Sequence, residues 1–261
     1  MRKVPPEKLK KILADHKLWL ETDGKKGQRV DLRGANLENI NLQGADLREA
    51  LLVDANLQGA GLREALLVDA NLQRADLQRA NLRFANFQKA NLKGADLRNA
   101  DFEGTHLEGA NLQEADLRST KLQGAHLQGA NLQGAHLQNA NLQGAHLQGA
   151  NLQGAHLQKA VLDDSDLQGA DLRRVNLQDA SLDNATLRDA DLQDADLTGV
   201  KGLQTSQLGG ADVSGAALPK DIAKFEGLDH IEEISRNARK IFLAMLLACA
   251  YSWLTIATTT D

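Results

Sequence analysis

The chain has 261 residues, of which 42% are hydrophobic but only 3% aromatic, and its single cysteine excludes a disulfide framework. So few rings starve a conventional globular core of its largest side chains, so Leu and Ala must be buried in some other way. The net charge of -5 averages unlike parts: residues 1–29 carry 9 basic and 4 acidic groups, residues 30–199 carry 15 and 24, and residues 200–261 carry 6 and 7.

Residues 1–29 are expected to form a helical cap. Pro5 and Pro6 precede Leu9, Ile12, Leu13, His16, Trp19 and Leu20, whose spacing predicts an amphipathic helix, and the polar run from Asp23 to Gly27 ends it. His16 and Trp19 are expected to pack within this cap. The positive charge has no aromatic-basic motif beside it, so it reads as a solvated helix face and not as a nucleic-acid surface. No secretory signal is expected at this basic N-terminus.

From Leu32 to Leu197 every fifth residue is Leu, apart from Phe87 and Phe102, giving 34 repeats without insertion or deletion. Two residues before each stands Ala in 28 of them, replaced elsewhere by Val30, Ile40, Thr105, Thr120, Ser165 or Val175. Asn or Asp lies between in 22 repeats. On an α-helix five residues advance by a net angle of about 140°, which spreads Leu over every face. In a straight strand the same spacing sends Leu to alternate faces. The pattern fits short extended segments with Ala and Leu pointing inward and a corner after each. Gly supplies positive φ at the corner in 14 repeats. Asn and Asp bond local backbone and tolerate left-handed geometry. The fold class is therefore an all-β solenoid, spanning 30–220 with an interruption at 200–210, where the five-residue register breaks.

The repeat, as in Ala130-Asn131-Leu132-Gln133-Gly134, resembles the A(D/N)LXX motif of the pentapeptide-repeat family. The stretch from His16 to Leu20 with Gly27 to Leu32 is also similar to the start of many such shafts. The resemblance implies a right-handed quadrilateral β-helix with four repeats per coil, to which the residue spacing outside the repeats adds an N-terminal helical cap and C-terminal helices. The repeats would then form about 8.5 coils, roughly 41 Å of shaft. Periodicity alone supplies corners but not the number of sides.

Three surface features stand out. In four-sided coils His106, His126 and His146 form one ladder, and His136 and His156 a second on the opposite side. Paired imidazoles suit a borderline metal. Each His nevertheless stands where Asn or Asp is usual, and no Cys or carboxylate is expected to complete a site within a ladder, so tolerated polar substitution is the expectation and no metal or cofactor is assigned. Second, REALLVDANLQ occurs at 48–58 and again at 63–73, placing Leu51, Val53, Leu66 and Val68 where polar residues are usual. Leu66 and Val68, with Phe84 one coil on, are the candidate partner-binding residues. Third, residues 160–199 hold 10 acidic and 3 basic groups, expected to be a solubilising face.

The C-terminal part changes character. Ile222, Phe225, Leu228, Ile231 and Ile234 recur every third residue, predicting an amphipathic helix with a basic flank over 221–240. Residues 241–260 carry no formal charge and follow Arg236, Arg239 and Lys240, so a membrane-spanning helix with the shaft on the cytoplasmic side is expected. Cys249 within it reads as a small apolar residue.

No nucleophile-base pair, phosphate loop or zinc motif appears, and catalysis is not expected. The leading expectation is a non-enzymatic scaffold or protein-interaction shaft tethered to the inner membrane, facing the cytoplasm, with an unidentified protein partner and no nucleic acid. The first alternative, implied by the resemblance, is a cytoplasmic DNA-mimicking binder of a type II topoisomerase, with the C-terminal helix joining two chains as a homodimer. The second is metal binding by the histidine ladders.

Overall fold

A computed structural model describes residues 2–223; the expected helix and basic flank beyond 223, and the charge-free stretch 241–260, lie outside the described residues. Met1–Pro219 forms one compact unit, and a second begins at Lys220 with the short helix Lys220–Ala223.

The first unit is a right-handed quadrilateral β-helix. Parallel bridges join residues twenty apart, as in Asn56↔Asp76 and Asn131↔Asn151, so four five-residue repeats make one coil. The sides carrying Leu32, Leu37, Leu42 and Leu47 are called sides 1 to 4. Each Leu or Phe at the centre of a side is buried, and so is each small residue two positions earlier except Ile40 and Ala45 in the first coil, which are half-buried. Thr105, Thr120 and Ser165 stand at Ala positions and donate their hydroxyls to the carbonyls of Leu82, Leu117 and Leu162, so burial leaves none of them unpaired. Phe87 and Phe102 lie on neighbouring sides with ring centroids 6.2 Å apart.

Where Asn or Asp precedes Leu, the repeat satisfies all five of its N–H groups in a fixed division. In the repeat centred on Leu57, the N–H groups of Leu57 and Gly59 donate to the next coil at Asp76 O (2.6 Å) and Gln78 O (2.8 Å). Asn56 N–H donates to the preceding coil at Ala35 O (2.9 Å), and Ala60 N–H closes a turn on Leu57 O (3.0 Å). The remaining N–H, on Gln58, donates to the Asn56 side-chain oxygen (3.0 Å). Asn and Asp thus recur because they cap the one N–H that the coil cannot reach.

The residue two positions after Leu has positive φ in every one of the 34 repeats: the 14 glycines and 20 other residues, including Arg74 (53°), Lys89 (56°) and Phe84 (56°). With the turn hydrogen bond, this is the type II arrangement, in which only the third residue is left-handed. The corner geometry is therefore imposed by the coil and not selected by Gly. Asn and Asp at the position before Leu serve as acceptors and do not take the left-handed conformation.

The ends are closed differently. Strand β1, Arg2–Lys3, pairs in parallel with β2, Ala35–Asn36, and blunts an open edge of the first coil. Helix α1, Pro6–Glu21, starts with Pro at its first turn and buries Leu9 and His16. At the other end, a 3-10 helix over Thr205–Leu208 interrupts the regular coil, and Leu203 and Leu208 are buried. The bridge partner of Asp171 is Asp191, twenty residues on, whereas that of Asp191 is Asp212, twenty-one on, so this segment adds one residue to its coil. Gln207 donates its amide to Leu182 O (2.7 Å) and Ala185 O (2.8 Å), capping carbonyls that no further repeat reaches.

Candidate functional site

The corner between sides 3 and 4 carries the candidate partner-binding residues. Phe84 is 44% exposed and Leu66 38%; among the described residues the only other large hydrophobic side chain so exposed is Leu18. Leu66 bridges to Asn86, two residues after Phe84, so the expected grouping is formed, with Val68 half-buried on the same side. Two arginines complete it. The guanidinium of Arg63 lies 5.7 Å and that of Arg83 5.5 Å from the Phe84 ring centroid. Arg83 also bonds Glu103 in the next coil (2.7 Å). The ring lies over Gly104, where a methyl group would come within 2.6 Å of Phe84 Cε1. A bulky residue with positive φ is uncommon and costs of order 1–2 kcal/mol, so Phe84 sits where Gly would be more stable. Arg63, Arg83 and Gly104 were not singled out from the sequence; each is readable once columns twenty residues apart are aligned, 63 with 83 and 84 with 104.

Both histidine ladders form. His106 and His126 stack at 4.6 Å between centroids and His126 and His146 at 5.0 Å on side 4, while His136 and His156 stack at 5.0 Å on side 2. The expectation that no carboxylate accompanies a ladder fails at Glu108. Residues 106 and 108 flank inward Leu107, so period-two alternation points both outward. His106 Nδ1 lies 3.2 Å from Glu108 Oε1. Burial raises the Glu108 carboxyl pKa, but its own N–H, His106 and Gln88 outweigh this and hold it below the usual range. Burial lowers the His126 pKa, helped by repulsion from His106 and His146. His156 is lowered in the same way, by burial and then by His136.

Where Lys121 or a ladder His replaces the usual Asn or Asp, the following Gln keeps its carbonyl oxygen buried without a protein partner: Gln123, Gln128, Gln138, Gln148 and Gln158. Glu108 Oε2 is in the same condition. The acidic region is less bare than its composition suggests. Arg173 donates from Nε to Asp171 (2.8 Å), as Arg98 does to Asp96 and Arg118 to Asp116 elsewhere on the shaft. Among the described residues no helix is long and apolar enough to cross a membrane.

The solved structure of HetL, a pentapeptide repeat protein involved in heterocyst differentiation regulation from the cyanobacterium Nostoc sp. strain PCC 7120, is similar. It is 32% identical, with 76% of this chain and 92% of HetL covered and a TM-score of 0.61. Trypsin-treated QnrB1, a plasmid-mediated fluoroquinolone resistance protein, shares the fold at 19% identity, covering 75% of this chain and 94% of its own, with a TM-score of 0.53. No curated protein matches the chain. The family profile described as "Pentapeptide repeats (8 copies)" matches residues 31–67, 65–104, 100–139, 140–179 and 165–201. With an unbroken five-residue period, a four-sided coil and this match across the shaft, the chain belongs to the pentapeptide-repeat family.

Proposed function

We propose that the chain is a non-enzymatic protein-interaction shaft that meets a protein partner at the Phe84 corner and is held at the cytoplasmic face of the inner membrane by residues 241–260. The observation that carries the interaction role is Phe84 itself: an exposed ring at a left-handed corner, flanked by two guanidiniums, beside exposed Leu66. Such a surface offers a partner an aromatic contact area with a cationic rim, the combination enriched at interaction hot spots. The rigid coil spends little ordering entropy on presenting it.

Membrane tethering is supported by the sequence of residues 236–260, where Arg236, Arg239 and Lys240 precede twenty residues without formal charge. Cell fractionation tests this part. The full chain sediments with membranes and is released by detergent, whereas a chain ending at 235 stays in the supernatant. Full-length protein in the high-speed supernatant without detergent overturns the tether. Extended duplex mimicry has less support, because bidentate arginines neutralise Asp96, Asp116 and Asp171 along the shaft.

A further inference from the structure

We propose that His106, Glu108 and His126 on side 4 form a binding site for one divalent transition-metal ion of the zinc class, with water completing its coordination. Among the described residues this is the only group of three metal-ligating side chains whose donor atoms all lie within 4.8 Å of one another. Two imidazoles and one carboxylate are a donor set that zinc accepts while keeping positions open for water. A tetrahedral ion with bonds of about 2.0–2.2 Å needs its donors roughly 3.4 Å apart. Side-chain rotation closes that difference, since the bridge between His106 and His126 fixes the two backbones.

Two further observations set this trio apart from the rest of the ladders. Buried oxygens without a hydrogen-bond partner follow every ladder His, but only Glu108 Oε2 belongs to a carboxylate, whose charge a cation neutralises while relieving the cost of burial. The other carboxylates bordering the ladders are engaged. Asp116, bridged to His136 on side 2, receives Arg118 Nε at 2.8 Å, and Asp166, bridged to His146 on side 4, receives the Gln148 amide at 2.7 Å. The second ladder therefore has imidazoles but no free carboxylate beside them. His106 and Glu108 remain partly open, with side chains 43% and 29% exposed, so an ion has a path in.

The test uses the full chain, stripped of metal with a chelator and titrated with zinc alone by calorimetry. One zinc per chain is expected to bind. Glu108→Gln and His126→Asn each weaken it by about tenfold or more, while the double variant His136→Asn with His156→Asn binds as the unaltered chain does. These substitutions keep the fold, because Asn86 stands in the His106 column and Gln88 and Gln128 in the Glu108 column; unchanged thermal unfolding midpoints verify it. The proposal is overturned by no saturable uptake up to about 1 mM zinc, a range in which binding is only marginal, by Glu108→Gln binding as tightly as the unaltered chain, or by loss of uptake in the double variant.

Discussion

His16 Nε2 donates to the carbonyl of Arg48 at 3.0 Å, while His16 Nδ1 accepts the N–H of Val30 at 3.2 Å. One fully buried imidazole thus fastens the cap helix to the first coil from both nitrogens, and only the neutral ring with its proton on Nε2 serves both bonds. Burial lowers its pKa, against the raising influence of Arg48 O and Asp46. The unfolded chain, with an ordinary His pKa of about 6.5, then binds more protons than the folded one as pH falls. Stability is at its plateau above about pH 6.5 and declines as pH drops through that value towards the lower folded pKa. Urea midpoints of the unaltered chain should fall between pH 7.5 and 5.5, and His16→Gln should show a shallower fall. Equal slopes would remove His16 from the account.

Gly27 and Gly124 both have positive φ, 74° and 61°, but in unlike surroundings. A Cβ at Gly27 would sit 2.2 Å from Asp15 O and 2.7 Å from Trp19 N, both backbone atoms of the cap helix, whereas nothing lies within 4 Å at Gly124. Gly27→Ala should therefore destabilise by more than about 2 kcal/mol through strain and displacement of the helix. Gly124→Ala should cost only about 1 kcal/mol, the price of one left-handed Ala. Chemical denaturation of the two variants side by side separates cap packing from corner geometry.

The inward positions are legible because burial inside a narrow coil tolerates so little variation: Leu or Phe fills every central position from 32 to 197, and Ala fills 28 of the 34 positions two before it. The corner was legible only in part. Gly at fourteen corners pointed to positive φ, yet Glu49, Arg74 and Phe84 adopt it too, because hydrogen bonds to both adjacent coils fix the backbone whatever the side chain prefers. The four-sided coil followed from resemblance, since a period of five says nothing about how many corners close a circuit. Glu108 is not legible from the twenty-residue column that aligns the histidines, because it meets His106 across a side, where the two are two residues apart.

Asn56 tests the division of hydrogen bonds within a repeat. Its side-chain oxygen accepts from Gln58 N–H, for which no carbonyl of a neighbouring coil is in register. Asn56→Ala should cost about 1–2 kcal/mol by leaving that donor poorly satisfied, while Asn56→Asp, which keeps the acceptor, should stay within about 0.5 kcal/mol of the unaltered chain. Denaturation midpoints decide the point: equal losses in both variants would mean that the side chain acts through packing and not as an acceptor.

Phe84 allows function to be separated from stability in a single substitution. Its backbone is left-handed at φ 56°, the conformation that Gly takes at Gly44, Gly124 and Gly144 without cost. Phe84→Gly removes the exposed ring, its contact with Gly104 and its two cationic neighbours, all of them surface interactions, and relieves the left-handed penalty. The variant should be as stable as the unaltered chain or more stable by up to about 1 kcal/mol. Binding of the partner should nevertheless weaken by about 2 kcal/mol or more, as for an aromatic hot spot. A stability loss above about 1 kcal/mol would show that the ring braces the coil. Twenty corners hold a side chain other than Gly, so the left-handed backbone alone does not mark Phe84. A ring that costs stability but is used by a partner is distinguished by stability and affinity moving in opposite directions in this one variant.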